Sequence, residues 1–168
     1  MRTHWILTWL LAMLITLSGW VAFEWYWRGQ GYAPTVMDSL DLWAQHRARA
    51  VKSAPPQRVA LLGASRIQYG ISPAVFRDET HALGLKVDPV MLAVNGHYPL
   101  AALRDLSEDK QFVGVAVVGI DARGMDRRVR DMQRKYVQHY HHEWSPSRAL
   151  HRRLLTQVQT VSIAERPD

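Results

Sequence analysis

Residues 5–23 contain no charged side chain, and this apolar run is the feature that most limits how the 168-residue chain can fold. A helix of that length crosses the roughly 30 Å hydrocarbon core of a bilayer. A cleaved signal peptide is the alternative, but the run is long for one and bulky residues follow it where a peptidase needs small ones. We therefore predict an uncleaved anchor over residues 1–28 that contacts the lipid bilayer through residues 5–23. Aromatic residues near its ends are typical of membrane–water interfaces (Trp5, Trp9, Trp20, Trp25, Tyr26 and Trp27).

The remaining length has room for one further domain. We expect a linker with a short helix at 29–56, an α/β core at 57–122 and a basic helical segment at 123–168. The linker helix, residues 38–51, has Asp38 or Ser39 at its start, and Ser53-Ala54-Pro55-Pro56 ends it and marks the domain boundary.

Strand-like and helix-like patterns alternate through the core. Strands are predicted at 58–63, 87–94 and 112–120, with helices at 73–83 and 99–106 between them. This order is typical of a doubly wound parallel sheet, as in flavodoxin-like folds. Residues 112–120 are nearly all apolar, which predicts a strand covered by helices on both faces. Pro89 argues against a central position for the second strand unless it lies at the strand start.

Three strands make a partial sheet, and a helical, polar tail follows them. We expect an open sheet edge after the third strand, which either a partner or a continuation of the domain would complete; we favour the continuation.

Basic residues are concentrated in one segment. Residues 123–153 carry nine Lys or Arg against three acidic residues, which accounts for the whole net charge of +6. Such a segment is either a solvated helix face or a surface that meets lipid headgroups or a polyanion. Nucleic acid is not an expected partner if the domain lies across the membrane. The chain has no cysteine, which excludes disulfides and thiolate metal sites.

Three residues that follow predicted strands are candidates for chemistry. Ser65 comes after the small residues Gly63-Ala64, Gly96 follows the second strand, and Asp121 follows the third. Because parallel strands end at the same sheet edge, these residues are expected to converge there. A hydroxyl, a backbone amide and a polar side chain are parts of an acyl-transfer site. The alternative is that Ser65 caps the next helix.

At these positions the chain resembles the SGNH (GDSL-like) hydrolase superfamily, in its membrane-anchored bacterial branch. Gly63-Ala64-Ser65 is similar to the first block of that family, which implies a nucleophilic Ser65 whose amide helps to form the oxyanion hole. Asn95-Gly96 is similar to the second block, which implies that the Gly96 amide is a further donor. Gly119-Ile120-Asp121 stands where the third block has Gly-x-Asn, and a carboxylate there would repel an oxyanion.

The resemblance covers about residues 58–122, and the family's Asp-x-x-His block, which supplies the base, has no counterpart in the sequence. It implies an esterase or acyltransferase acting on a cell-envelope polysaccharide or lipid. The usual arrangement of a signal anchor, with the short amino-terminal tail inside, predicts an inner-membrane protein with a periplasmic domain. The alternative is a non-catalytic envelope or scaffold protein that keeps the fold.

Neither a replacement base nor a cofactor site is evident. His97 lies close to Gly96, but in a different block from the family's base. His139 and His142 share a helix face without further ligands, so no metal is expected. The Gly63-Ala64-Ser65-Arg66 turn lacks the Lys-Ser/Thr of a P-loop and the third glycine of a dinucleotide fingerprint, so no cofactor is expected.

Overall fold

The computed structural model describes residues 2–51 and 57–163. The predicted boundary at Ser53-Ala54-Pro55-Pro56 lies outside these residues. The chain divides into two compact units, one formed by residues 1–37 with 153–168 and the other by residues 38–152.

The first unit contains a long apolar helix, α1 (Arg2–Gly29), and the end of α7 (Pro146–Val161). Within the described residues one stretch, His4–Gly29, is long and apolar enough to cross a membrane, with a mean hydropathy of 2.0. The charged side chains near the end of α1 bind the end of α7. Arg28 donates to the carbonyl of Val161 at 2.7 Å, and Glu24 accepts from the backbone N–H of Ile163 at 2.7 Å. The contact with Val161 satisfies a carbonyl of the kind that the C-terminus of a helix leaves without a partner.

The second unit is an α/β domain with a three-stranded parallel sheet in the order β2-β1-β3. Its elements, in chain order, are α2 (Leu40–Ala50), β1 (Gln57–Leu62), α3 (Ser65–Gly70), α4 (Pro73–Ala82), β2 (Val87–Met91), α5 (Leu100–Glu108), β3 (Val115–Val118), two 3-10 helices (Ala122–Met125 and Arg127–Val129), α6 (Arg134–His142) and the start of α7. The α/β class, the parallel strands and the alternation of strands with helices are as predicted.

The structure decides two local predictions, the N-cap of α2 and the position of Pro89. Ser39 caps α2 by accepting from the backbone N–H of Leu42 at 3.1 Å. Pro89 lies within β2 opposite Val59, and it is tolerated because β2 is an edge strand.

The third strand differs from its prediction. It has four residues instead of nine, and it is not covered on both faces: Val115 and Val117 are 47% and 38% exposed. Only the alternate residues Ala116 and Val118 pack against the core. β3 also pairs with β1 alone, so its outer edge is open within the described residues, as expected for a partial sheet.

The core lies between one face of the sheet and helices α2, α5 and α6. Helix α2, which the sequence placed in a linker, contributes Trp43, whose indole N–H donates to the carbonyl of Leu92 at 3.1 Å. The cluster comprises Trp43, Ala50, Ala60, Leu62, Val90, Leu92, Ala102 and Leu106.

A buried charge fixes α2 against the other helices. Arg47 is fully buried, and it binds Asp105 at 2.5 Å and Asp109 at 2.8 Å, both at the end of α5. Its guanidinium also lies 5.0 Å from the ring centroid of Tyr140 on α6. Because an unpaired buried charge is strongly destabilising, these contacts determine how the three helices pack.

Candidate functional site at the carboxyl edge of the sheet

Backbone hydrogen bonds continue beyond the assigned strands and hold their carboxyl ends together. The N–H of Gly119 donates to the carbonyl of Leu62 at 2.8 Å, and the N–H of Val94 donates to the carbonyl of Gly63 at 3.1 Å. The segments that carry Ser65, Gly96 and Asp121 therefore begin from neighbouring positions at one sheet edge. This is the edge at which open parallel sheets bind ligands.

Ser65 is the first residue of α3, and the capping position is taken by Ala64, which has no side chain able to cap. The alternative that Ser65 serves as the helix cap is therefore wrong. The side chain is half-buried, and its hydroxyl has no hydrogen-bond partner among residues 2–51 and 57–163. The hydroxyl is thus free for another task.

Two glycines make room for this turn. A Cβ atom on Gly63 or on Gly119 would lie less than 3.0 Å from side-chain carbons of Ile67, two residues beyond Ser65. Ile67 therefore packs over the ends of β1 and β3, and this close packing fixes the direction of α3.

Gly96 occupies a tight turn after β2. The N–H of His97 donates to the carbonyl of Val94 at 3.1 Å, and Gly96 has a φ of +72°, a conformation that favours glycine. Gly96 is exposed, and its N–H makes no hydrogen bond within the described part of the chain. This amide is therefore available as a donor.

Gln133, which is not among the residues predicted from the sequence, joins the two turns. It is fully buried directly before α6, and its side-chain amide donates to the carbonyls of Gly63 at 3.4 Å and His97 at 3.3 Å. The serine turn and the Gly96 turn therefore lie side by side. A single glutamine in a basic segment gives no sequence signal for such a role.

His97 has a defined ring orientation. Its Nδ1 atom lies 2.8 Å from the carbonyl oxygen of Asn95, and its ring meets Tyr136 edge-to-face at 5.6 Å between centroids. Because a carbonyl only accepts, Nδ1 carries the proton in this hydrogen bond. In the neutral ring Nε2 then keeps its lone pair.

Asp121 accepts hydrogen bonds from two directions. It accepts from the backbone N–H of Gly124 at 3.0 Å and from Arg66 at 2.5 Å. The Gly124 N–H, followed by Tyr98 and the charge of Arg66, lowers the pKa of the Asp121 carboxyl. Burial and then Asp121 raise the pKa of Tyr98. The carboxylate thus connects the segments that follow β1 and β3, and it donates nothing to an oxyanion.

A small cavity of about 50 Å³ lies beside α3, lined in part by His46, Gln68 and Asp38. The Nδ1 atom of His46 lies 2.8 Å from the carbonyl oxygen of Met91, and Gln68 donates to Asp38. Burial, which is the largest effect, lowers the pKa of His46. Gln68 is one helical turn after Ser65 on α3, so the cavity borders the helix that carries the serine.

The other residues considered from the sequence have different surroundings. His139 is buried, with Nε2 2.6 Å from a carboxylate oxygen of Asp41, whereas His142 is exposed. Among residues 2–51 and 57–163 no group of three or more His, Asp or Glu side chains is placed to hold a metal. Most of the basic side chains are exposed: Arg123, Arg127, Arg128, Arg130, Arg134, Lys135, Arg148 and Arg153.

The fold and this site define an α/β domain with a serine at the carboxyl edge of a parallel sheet, whose hydroxyl makes no hydrogen bond within the described residues. Comparisons with protein-family models, with curated proteins and with solved structures found no match.

Proposed function

We propose that the chain is a membrane-attached serine esterase or acyltransferase of the SGNH type, with Ser65 as its nucleophile. The observation that carries the proposal is the free Ser65 hydroxyl at the start of α3. Ser65 lies one residue past the capping position, so its hydroxyl is not used as the helix cap. An exposed Gly96 amide lies on the neighbouring turn, as an acyl-transfer site requires.

The reaction has two steps, acylation of Ser65 and transfer of the acyl group to an acceptor. The Ser65 oxygen attacks the carbonyl carbon of an ester, and the N–H groups of Ser65 and Gly96 donate to the oxyanion that forms. Ser65 is the first residue of α3, so its N–H has no acceptor within that helix. The ester C–O bond breaks and the alcohol leaves. Water or a second alcohol then takes the acyl group from Ser65.

We infer the substrate class from the charges around the site. Arg123 is exposed two residues after Asp121, and Arg127 and Arg130 follow on the same exposed segment. Cationic side chains beside the site favour an acyl ester on an anionic or polyhydroxylated envelope polymer or lipid. With α1 as the anchor, we place the enzyme in a bacterial inner membrane and the α/β domain in the periplasm.

The test is hydrolysis of p-nitrophenyl acetate by the full chain in detergent. We expect Ser65→Ala to abolish turnover, and Ser107→Ala to retain it, because Ser107 is an exposed serine on α5 that hydrogen-bonds only within its own helix. Equal hydrolysis by the wild-type chain and Ser65→Ala would contradict the proposal.

A non-catalytic envelope scaffold is the second candidate. The observation that favours it is Asp121, whose carboxylate is held by Arg66 and by the Gly124 N–H where the family has an asparagine. The open β3 edge, with Val115 and Val117 exposed beside it, would suit a protein partner. A wild-type chain with no esterase activity, and a Ser65→Ala strain with an unchanged envelope, would favour this candidate.

A further inference from the structure

We propose that His97 is the general base that activates Ser65, and that the carbonyl oxygen of Asn95 takes the place of the orienting carboxylate of a catalytic triad. The inference rests on the proposed function, since it needs Ser65 to be a nucleophile. It assigns the base to the turn that follows the second strand, in a chain whose resemblance to its family lacks the usual base.

The first support is the placement of the two turns. The Gly63 carbonyl accepts both from the backbone N–H of Val94 and from the side-chain amide of Gln133. The same Gln133 amide donates to the carbonyl of His97 itself. The backbone leading to Ser65 and the backbone of His97 are therefore held against one buried side chain. Because Gln133 is fully buried, this arrangement is part of the folded core.

The second support is the state of the imidazole. The Asn95 carbonyl fixes the proton on Nδ1, at 2.8 Å, so that the lone pair of Nε2 is available in the neutral ring. Tyr136 packs edge-to-face against the ring and limits its rotation. A nucleophile needs a base that a third group orients in this way.

The third support is that two histidines of α6 have their Nε2 atoms on carboxylates, whereas the Nε2 atom of His97 has no such contact in the described residues. The Nε2 atom of His139 lies 2.6 Å from Asp41, and the Nε2 atom of His141 lies 2.5 Å from Asp105. The ring nitrogens of His97 make one hydrogen bond within the described residues, from Nδ1 to Asn95, so Nε2 and the Ser65 hydroxyl are both without hydrogen-bond partners there.

The proton balance closes without any further reactant. Nε2 of His97 takes the hydroxyl proton of Ser65 while the serine oxygen bonds to the acyl carbon. The imidazolium then gives that proton to the departing alkoxide as the ester C–O bond breaks. In the second half-reaction Nε2 takes a proton from water or an acceptor alcohol and returns it to the Ser65 oxygen.

The test is the second-order rate at which a fluorophosphonate modifies the full chain in detergent micelles, since this reagent needs an activated serine and no known substrate. We expect His97→Ala to slow labelling by about 10²- to 10⁴-fold, the usual contribution of a general base. His142→Ala, which removes an exposed histidine of α6, is the matched control and is expected to label at the wild-type rate.

Chemical rescue separates a base from a packing residue. We expect added imidazole to raise the labelling rate of a folded His97→Gly chain at least tenfold, which corresponds to about 1.4 kcal/mol in the barrier. Imidazole should not raise the labelling rate of Ser65→Ala. Labelling of His97→Ala at the wild-type rate would overturn the role of His97 and leave Ser65 as the nucleophile. A folded His97→Gly chain whose labelling rate imidazole does not raise would do the same. A wild-type chain that does not label, or that labels as fast as Ser65→Ala, would overturn the proposed function itself.

Discussion

The guanidinium of Arg66 binds the carboxylate of Asp121 at 2.5 Å, and this ion pair joins the segment after β1 to the segment after β3. Arg66 directly follows the candidate nucleophile, so the pair lies at the border of the site. Asp121 also accepts from the N–H of Gly124 and caps the 3-10 helix Ala122–Met125.

We expect Asp121→Asn to retain the helix cap and the fold, because asparagine is as good a cap as aspartate. The pKa of Asp121 is lowered in the folded chain from its ordinary value of 3.8. Its ionised form therefore stabilises the fold above pH 3.8, and this contribution is lost as the pH falls through the lowered pKa. Asp121→Asn should thus make the unfolding midpoint less sensitive to acid below pH 3.8, as measured by circular dichroism.

The matched control for Asp121 is Asp78→Asn on α4, where the carboxylate is exposed. We expect this variant to keep the acid sensitivity of the wild-type chain. The same loss of acid sensitivity in both variants would contradict a specific role of Asp121.

Gly119→Ala should destabilise the domain by roughly 1–3 kcal/mol, the usual cost of overpacking. The added Cβ would meet the Ile67 side chain at less than 3.0 Å. In an Ile67→Ala background the same change should cost much less, and urea unfolding of the four proteins measures this coupling. Gly70→Ala, at the end of α3 with open space around it, is the control and should not destabilise the chain. Additive effects of Gly119→Ala and Ile67→Ala would contradict the packing.

Arg47→Met should cost roughly 3–5 kcal/mol, because it leaves the buried carboxylate of Asp105 without its guanidinium partner. Arg128→Met is the matched control, since Arg128 pairs with Asp126 at the surface and a pair of that kind contributes little. Urea unfolding of both variants measures the difference. A similar small effect in the two proteins would show that Arg47 does not fix α2 against α5.

His46 should make the stability of the domain depend on pH near neutrality. Burial lowers its pKa in the folded chain below the ordinary value of 6.5, so the unfolded chain binds a proton first. Stability should therefore be complete above pH 6.5 and fall as the pH drops from 6.5 toward the lowered pKa. His46→Asn, which can still donate to the Met91 carbonyl, should reduce the slope of the unfolding free energy against pH. An unchanged slope in urea titrations at pH 5–8 would contradict it.

Hydrophobic periodicity and turn chemistry predicted much of the fold. They located the apolar helix, the three strands and the helices between them, because each of these depends on local sequence. The extent of β3 could not be predicted, since Val115 and Val117 are apolar whether or not a helix covers them. The role of α2 in the core was also missed, because Arg47 reads as a surface residue until Asp105 and Asp109 are placed beside it.

For the site, the strand ends predicted where Ser65, Gly96 and Asp121 lie, because parallel strands share one edge. The contact of Asp121 with Arg66 could not be predicted, nor could the bridge formed by Gln133. Both depend on side chains that lie far apart in sequence or follow no pattern.

The most direct test of the account is to locate the covalent adduct after fluorophosphonate labelling of the full chain. Trypsin cleaves after Arg58 and Arg66, so Ser65 lies on a single peptide, residues 59–66. We predict that mass spectrometry finds the adduct on Ser65 of that peptide, and that Ser65→Ala gives none. An unmodified 59–66 peptide, under conditions that label a control serine hydrolase completely, would contradict the assignment of Ser65 as a nucleophile.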